Sequence, residues 1–426
     1  MTVDPDRGGS ERDALSPAPS ATDPVVIRRG GLPVLLARLA AVCSALGVTA
    51  RYWSEPTRAR IDFHIYAEAI ASGAHSSLYD FHYRVLGLGF TYPPFASVVL
   101  WPLSVLPEAV AEHLWLLVGV AGAAAFLAVV GREVADRVCE RLRSGVPEPD
   151  VPWKALITPD LVVPVVVTLG LWTMPVTLTA RLGQVNALLA ALIAIDIVLL
   201  RRRSPAAGLG IGLAAAVKLT PAILIPFLWL TGRRRAAMVS TAVAVAATAV
   251  AGVLRPSDTL RYFGTELWAT NRVGALDSVF SNSLRRATSV LPGPWSSAAW
   301  LVLAVAVVLV AYRRAMKADR FGQLVVAVTI VMCASYLVSP ISWGHHLYFL
   351  IPAVFLWVAS ASSPASWAMA AVAVVVLYDP FGGGELGWTS AMRIVVLLVM
   401  VVALPVDGDV RDLRGDPARP GRAPGS

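Results

Sequence analysis

Apolar runs repeat along nearly the whole chain, broken by two kinds of turn: short arginine clusters, and segments rich in acids, histidines, tyrosines and amides. The first run, roughly 32–51, is long enough to cross the ~30 Å hydrocarbon layer as a helix. Residues 95–106 are apolar but interrupted by Pro102 and Pro107, which predicts a dipping or interfacial segment, and 110–130 returns to a basic loop holding Arg132, Arg137, Arg141, Arg143 and Lys154. Runs at 161–180 and 185–200 predict a hairpin whose turn carries Arg181, Gln184 and Asn186. Between 205 and 231 both ends lie beside arginines and Lys218-Leu219-Thr220-Pro221 divides two short apolar halves, the pattern of paired re-entrant half-helices. Further spans at 236–254, 297–312 and 322–338, two more beyond, and a last helix at 391–405 bring the expectation to about ten to twelve transmembrane or re-entrant helices. The Gly382–Gly384 segment reads as a turn before the last of them.

Composition agrees with an all-α polytopic integral membrane protein. The 426 residues are 56% hydrophobic and 15% charged, against about 25% charged in a soluble domain; mean hydropathy is +0.65. The net charge of +8 raises nucleic-acid binding, but Arg201–Arg203, Arg233–Arg235 and Arg313–Arg314 sit between apolar runs, as cytoplasmic topology signals do, with contact to membrane lipid headgroups as a second use. Residues 1–31 and 406–426 read as loose cytoplasmic tails flanking one domain, 32–405, whose first helix resembles an uncleaved signal-anchor. Cys43, Cys139 and Cys333 are too scattered for a metal or disulfide framework.

With the arginine clusters inside, the polar turns face outward, and the densest is Ile61–Tyr92, containing Asp62, His64, Tyr66, Glu68, His75, Asp80, His82 and Arg84. Ionisable groups against a membrane domain are costly unless they are paired, hydrated or at work. Asp62 and Tyr66, four apart, share a helix face; Asp62 suits a general base or a sugar-hydroxyl acceptor, or simply an N-cap. His345-His346 offers an imidazole to a cavity, or a headgroup anchor beside Trp343. Arg181, Lys218, Arg272, Arg285 and Arg286 are cations on the outer side, where topology gives no reason for them; a phosphate ligand would, as would snorkelling. Tyr92-Pro93-Pro94 makes a stiff turn. Asp80 and the Asp62 loop lack metal-ligand spacing, and neither a metal nor a cofactor is expected; the phosphate-loop, zinc-protease and nucleophile-elbow motifs are missing from the sequence.

Six motifs then occur in order: Asp62-Phe-His-Ile-Tyr66, Phe90-Thr-Tyr-Pro-Pro-Phe95, Leu182-Gly-Gln-Val-Asn186, Val217-Lys-Leu-Thr-Pro221, Ser281-Asn-Ser-Leu-Arg285 and Val338-Ser-Pro-Ile-Ser-Trp-Gly-His-His346. Together they resemble the actinobacterial α-(1→2)-mannosyltransferases of glycosyltransferase family 87, over roughly 32–405. The resemblance implies a GT-C bundle with the active site on its outer-face loops, in the plasma membrane and facing the extracytoplasmic (periplasmic) side. It also implies a polyprenyl-phosphate-mannose donor and a mannosylated phosphatidylinositol or lipoglycan acceptor. An acidic residue in the first outer loop is functionally important in GT-C enzymes, and Asp62 holds that position; His345-His346 matches the family's late outer turn.

Converting a β-linked sugar phosphate to an α-linked product requires one inverting displacement, one base and cations at the departing phosphate. The base is expected at Asp62 or His346, with His345 beside it, and leaving-group stabilisation at Arg181, Lys218 and Arg285. His64, Tyr66, Tyr92, Gln184, Asn186 and Asn282 complete the expected substrate-binding set. Two alternatives stay open: another GT-C prenyl-phosphate-sugar transferase, such as an arabinofuranosyltransferase, and a lipid-linked-sugar transporter. A transporter needs its cations spread through the membrane depth, whereas these gather on one side.

Overall fold

The computed structural model describes residues 31–55, 59–73, 76–84, 87–144, 156–380 and 387–406. Of the tails expected over 1–31 and 406–426, residues 1–30 and 407–426 lie outside the described residues, as do His75, Lys154 and the Gly382–Gly384 turn. Among the described residues there are eighteen α-helices and no strand, only an isolated bridge between His82 and Gly89. The chain is a multi-pass, all-α membrane protein.

Helix α1 (Gly31–Trp53) leads to α2 (Ile61–Ser72). Two short helices, α3 (Pro94–Leu100) and α4 (Pro102–Val105), then form the dipping segment before the long α5 (Glu108–Ser144). Next come α6 (Pro159–Leu171), α7 (Met174–Leu182), α8 (Asn186–Arg201), α9 (Leu209–Val217) and α10 (Leu224–Leu230). Helix α11 (Arg234–Leu254) is followed by α12 (Pro256–Arg261) and α13 (Leu284–Thr288). The bundle closes with α14 (Pro294–Arg320), α15 (Leu324–Val338), α16 (Leu350–Ser360), α17 (Pro364–Tyr378) and α18 (Gly387–Ala403).

Helices α1, α5, α11 and α14 are long and apolar enough to cross a bilayer alone. The expected span over 161–180 is instead broken at Trp172-Thr173, where α6 and α7 meet at 54° and Pro175 starts the new helix. The expected basic loop after 130 is helical through Ser144. Arginine is a good helix former, and two of these have partners: Arg137 donates to Ser360 Oγ at 2.7 Å and to the Pro405 carbonyl at 3.1 Å, and Arg141 to the Ala359 carbonyl at 3.3 Å.

Burial sorts the helices by what surrounds them. Every residue from Leu324 to Leu337 is buried, so α15 is the central post. Helices α1 and α14 expose Leu32, Leu35, Leu39, Leu301, Val302 and Leu309, the apolar outer wall expected against lipid.

Two short helices, α9 and α10, stand on either side of the Lys218–Thr220 break, and the packing of α9 shows how it is held. Three glycines of α9 and its entrance face neighbouring backbone: a Cβ on Gly210 would lie 2.2 Å from the Leu192 carbonyl oxygen, and one on Gly212 2.6 Å from that of Ser240. Such small residues let helices approach closely in a bilayer, where water exclusion does not drive helix association. The free amides at the start of α9 are met by Asp196, fully buried on α8, which accepts from Gly208 N at 2.9 Å and Ile211 N at 2.6 Å.

Asp196→Ala orphans two buried amides, a loss of roughly 2–4 kcal/mol. We expect a melting temperature several degrees lower in detergent, with Asp196→Asn, which keeps one acceptor, falling between; a melt unchanged by the alanine would show that the α9 entrance is held by other means.

Candidate active site

Helix α2 has Arg60 as its N-cap residue with no side-chain cap bond, so Asp62 is not the capping group and its carboxyl is left for the cavity beyond. One turn on, the Tyr66 hydroxyl lies 3.0 Å from that of Tyr92 and 3.1 Å from Gln184 Oε1, which Tyr92 reaches at 2.9 Å. Tyr92 precedes the two prolines that open α3, so its position is stiff. Gln184 follows Gly183, which ends α7 in the left-handed region at φ 73°; a Cβ there would lie 2.6 Å from Phe63 Cβ, so the glycine is what lets α2 close on this turn. With both tyrosines at its oxygen, Gln184 turns its amide to Asp62. Burial pushes the Asp62 carboxyl up to about 6, against a hydrogen bond from Gln184 and the charge of Lys218, which both lower it.

Lys218 occupies the break after α9, in extended backbone. Its Nζ donates to Asn186 Oδ1 at 3.0 Å and stands 5.5 Å from the Tyr92 ring centre. Asn186, buried at the start of α8, donates in turn to the His345 carbonyl at 2.9 Å. The Ser339–His346 turn is pinned from the other side by the Ser281-Asn282-Ser283 motif. Asn282 donates to the Ser342 carbonyl from both its backbone (2.6 Å) and its side chain (2.9 Å), and Ser283 Oγ donates to the Pro340 carbonyl at 3.0 Å. In this turn Trp343 N donates to His346 Nδ1 at 3.2 Å, and the two imidazoles meet edge to face at 4.5 Å. Burial, then the Lys218 charge, lowers His345 to about 3 and holds His346 well below the ordinary imidazole range, so both are neutral at neutral pH.

Two cavities of about 210 Å³ each adjoin here. The first is lined by Asp62, Ile65, Leu88, Gln184, Trp343 and His345 among others; the second by Lys218, Thr220, Tyr262, Glu266 and Ser339. They share Thr91, Tyr92, Arg272, Val273 and His346. Asp62 therefore sits on one side of the junction and Lys218 on the other. A smaller slot, about 30 Å³, runs from Lys218 and His346 between Leu189, Ile193, Met332 and Phe349.

The structure brings together Asp62, Tyr66, Tyr92, Gln184, Asn186, Lys218, His345 and His346 from the expected set. Three others lie elsewhere. The Arg181 side chain is 55% exposed and pairs with Glu55 at 3.4 Å. Arg285 bonds to Ser296 and to Ser297, and His64 turns to Glu112 at 3.1 Å on the far side of α2. Asn282 holds the histidine turn and does not line either cavity.

Arg272 was only one of five outer cations in the sequence, yet it lines both cavities. It donates to the carbonyls of Thr91 (2.9 Å), Phe90 (3.3 Å) and Glu266 (2.7 Å), and lies over the rings of Tyr79 and Tyr262. The only signal for it in the sequence is a cation where topology asks for none. Trp343 also faces the first cavity. Its edge rests on Gly274, whose φ of 147° and 2.9 Å clearance to the indole leave no room for a side chain.

Residues 90–340 match the family model described as Glycosyltransferase family 87. The chain is 33% identical over 355 residues, 79% of its length and 76% of the relative's, to a protein of Mycobacterium tuberculosis (strain CDC 1551 / Oshkosh) named polyprenol-phosphate-mannose-dependent alpha-(1-2)-phosphatidylinositol pentamannoside mannosyltransferase. A Mycolicibacterium smegmatis protein of the same name is 32% identical over 81% of each chain. A second M. tuberculosis protein (strain ATCC 25618 / H37Rv), named polyprenol-phosphate-mannose-dependent alpha-(1-2)-phosphatidylinositol mannoside mannosyltransferase, is 32% identical over 73% of each. No solved structure matches the chain. The family match covers more than half of the sequence and the relatives align across most of it, so this chain belongs to glycosyltransferase family 87.

Proposed function

We propose that the protein is an inverting α-(1→2)-mannosyltransferase. It moves mannose from polyprenyl-phosphate-mannose to a mannosylated phosphatidylinositol or lipoglycan at the extracytoplasmic face of the plasma membrane. The observation that carries this is the pair of adjoining cavities, with the Asp62 carboxyl on one side of their junction and the Lys218 amine on the other. An acceptor hydroxyl beside Asp62 attacks the anomeric carbon from one face while the prenyl phosphate leaves from the other toward Lys218 and Arg272. The negative charge that develops on the leaving oxygen meets two positioned cations. Such a phosphate needs little protonation to depart, so one base suffices.

Asp62 is the base in this reading. A carboxyl near 6 is deprotonated at neutral pH yet more basic than an ordinary aspartate, whereas the two histidines are held far too low to accept a proton readily. His346, at the junction with Nδ1 already engaged by Trp343 N, contacts the transferring sugar. The slot beyond Lys218 takes the first isoprene units of the donor. The charge pattern supports the outward orientation: α8 runs from Asn186 at the site to Arg201 at its other end, Arg234 begins α11, and Arg313-Arg314 lie near the far end of α14. The single membrane domain extends over 32–405, with the two tails on the cytoplasmic side.

The decisive experiment is transfer of labelled mannose from polyprenyl-phosphate-mannose to phosphatidylinositol mannosides by the purified protein in liposomes. Asp62→Asn should lower turnover by about 10²–10⁴-fold with normal folding; full turnover by that variant removes the base assignment. Transfer only from a prenyl-phosphate arabinose donor would replace mannose as the sugar.

The rate should fall as pH drops through about 6, because the ionised Asp62 is the working form. Gln184→Ala removes a hydrogen bond that lowers the carboxyl, so the acid limb of the pH–rate profile should shift upward; an unmoved limb would place the titrating base elsewhere.

Lys218→Ala and Arg272→Ala should each cost on the order of 10²-fold in kcat, and Arg181→Ala and Arg285→Ala far less. Equal losses at all four would mean that the phosphate is not held at the cavity junction.

A further inference from the structure

On the opposite side of α2 from Asp62, two helices face each other with matched pairs of ligating residues. Helix α2 carries His64 and Glu68, and α5 carries Glu108 and Glu112, each pair four apart and so stacked on one face. His64 Nε2 is 3.1 Å from Glu112 Oε1, and His64 Nδ1 is 3.9 Å from Glu68 Oε1 and 4.0 Å from Glu108 Oε1. One ligand atom from each of His64, Glu108 and Glu112 lies within 4.8 Å of the other two. None of the four lines either 210 Å³ cavity.

The geometry points to a divalent transition-metal site here, of the Zn²⁺ or Mn²⁺ type, held by His64, Glu108 and Glu112 with Glu68 at its open side. Three observations support it independently of the transfer reaction. First, charge: among the described residues the three carboxylates are opposed by the guanidinium of Arg60, whose Nη1 is 3.5 Å from Glu112 Oε2, and the excess of two negative charges among these groups matches a divalent ion.

Second, Glu112 Oε1 is buried without a hydrogen-bond partner, although His64 Nε2 stands within reach. Close approach without donor–acceptor alignment is the relation between two ligands of one metal. Ligands about 2.1 Å from zinc lie about 3.4 Å apart in a tetrahedron, and the ligand atoms of His64, Glu108 and Glu112, one from each, lie within 4.8 Å of one another.

Third, access: the His64 and Glu112 side chains are 6% and 8% exposed while Glu68 and Glu108 are 47% and 64% exposed, giving a dry inner half and an entry from water. The imidazole favours Zn²⁺ over Mg²⁺ or Ca²⁺, and the carboxylates also suit Mn²⁺. Bound there, the ion clamps α2 to α5 two residues from Asp62, and so is structural, with no part in the chemical step.

The test uses the full chain, purified, stripped by a chelator, loaded with ZnCl₂ or MnCl₂ and desalted, with metal counted by mass spectrometry and affinity measured by competition with a chromogenic chelator. We expect about one ion per chain and a melt that falls on stripping and recovers on loading. Glu108→Gln, a solvent-side change that leaves the fold intact, should weaken binding at least about tenfold. His64→Ala should abolish it, and His82→Ala, at an exposed histidine outside the cluster, should leave it unchanged. Wild-type protein that retains neither ion, unaltered affinity in Glu108→Gln, or equal loss in His82→Ala would each overturn the site.

Discussion

A single buried amide joins three interruptions in the helical bundle. Asn186 accepts from Lys218 at the broken α9–α10 pair and donates to the His345 carbonyl on the turn between α15 and α16, while standing itself at the break between α7 and α8. Helix ends expose backbone groups that hydrocarbon cannot satisfy, so breaks in a membrane domain persist only where protein or a water-lined cavity meets them. Gathering the breaks in one place answers that demand and produces the cavity with the same stroke. The site is where the bundle could not be continuous.

The same economy appears in how the walls are held. The tyrosine–glutamine group behind Asp62 draws on α2, the Phe90–Phe95 turn and the α7 terminus, so three separate segments are fixed by one set of hydroxyls. Residues 281–283 hold the histidine turn still: Asn282 and Ser283 donate to its carbonyls, and Ser281 Oγ accepts from the Ser342 amide. Arg272 likewise spends its donors on the backbone of Phe90 and Thr91, so its charge is locked in place at the cavity junction. A preorganised charge costs little reorganisation when the leaving group departs.

Burial divides labour among the titratable groups. Asp62 keeps a hydrogen bond from Gln184 and the field of Lys218, so it remains an anion at neutral pH though less acidic than a free aspartate. The histidines are buried beside the charge of Lys218, and both effects keep them neutral. Position in the bundle, not residue type, decides which of them can take a proton.

Much of this was legible before any coordinates. Hydropathy alone marks a polytopic helical protein, because a bilayer demands long runs of apolar side chains and internally satisfied backbone; the Lys218 break and the Pro93-Pro94 turn follow from residue chemistry. Asp62 and the histidine pair stood out because ionisable groups are rare in such a chain. What the sequence could not settle is which polar residues face one another. Arg181, Lys218, Arg272 and Arg285 look equivalent in one dimension, and only packing sends Arg181 to Glu55 and Arg285 to Ser296 and Ser297 while bringing Lys218 and Arg272 to the cavities. His64, two residues from Asp62, falls on the opposite face of α2 because a helix turns about 200° in two steps. Local chemistry determined which elements form and which residues are costly; the tertiary structure decided which of those residues meet, because contacts between separate segments are set by how the helices pack and not by any one of them.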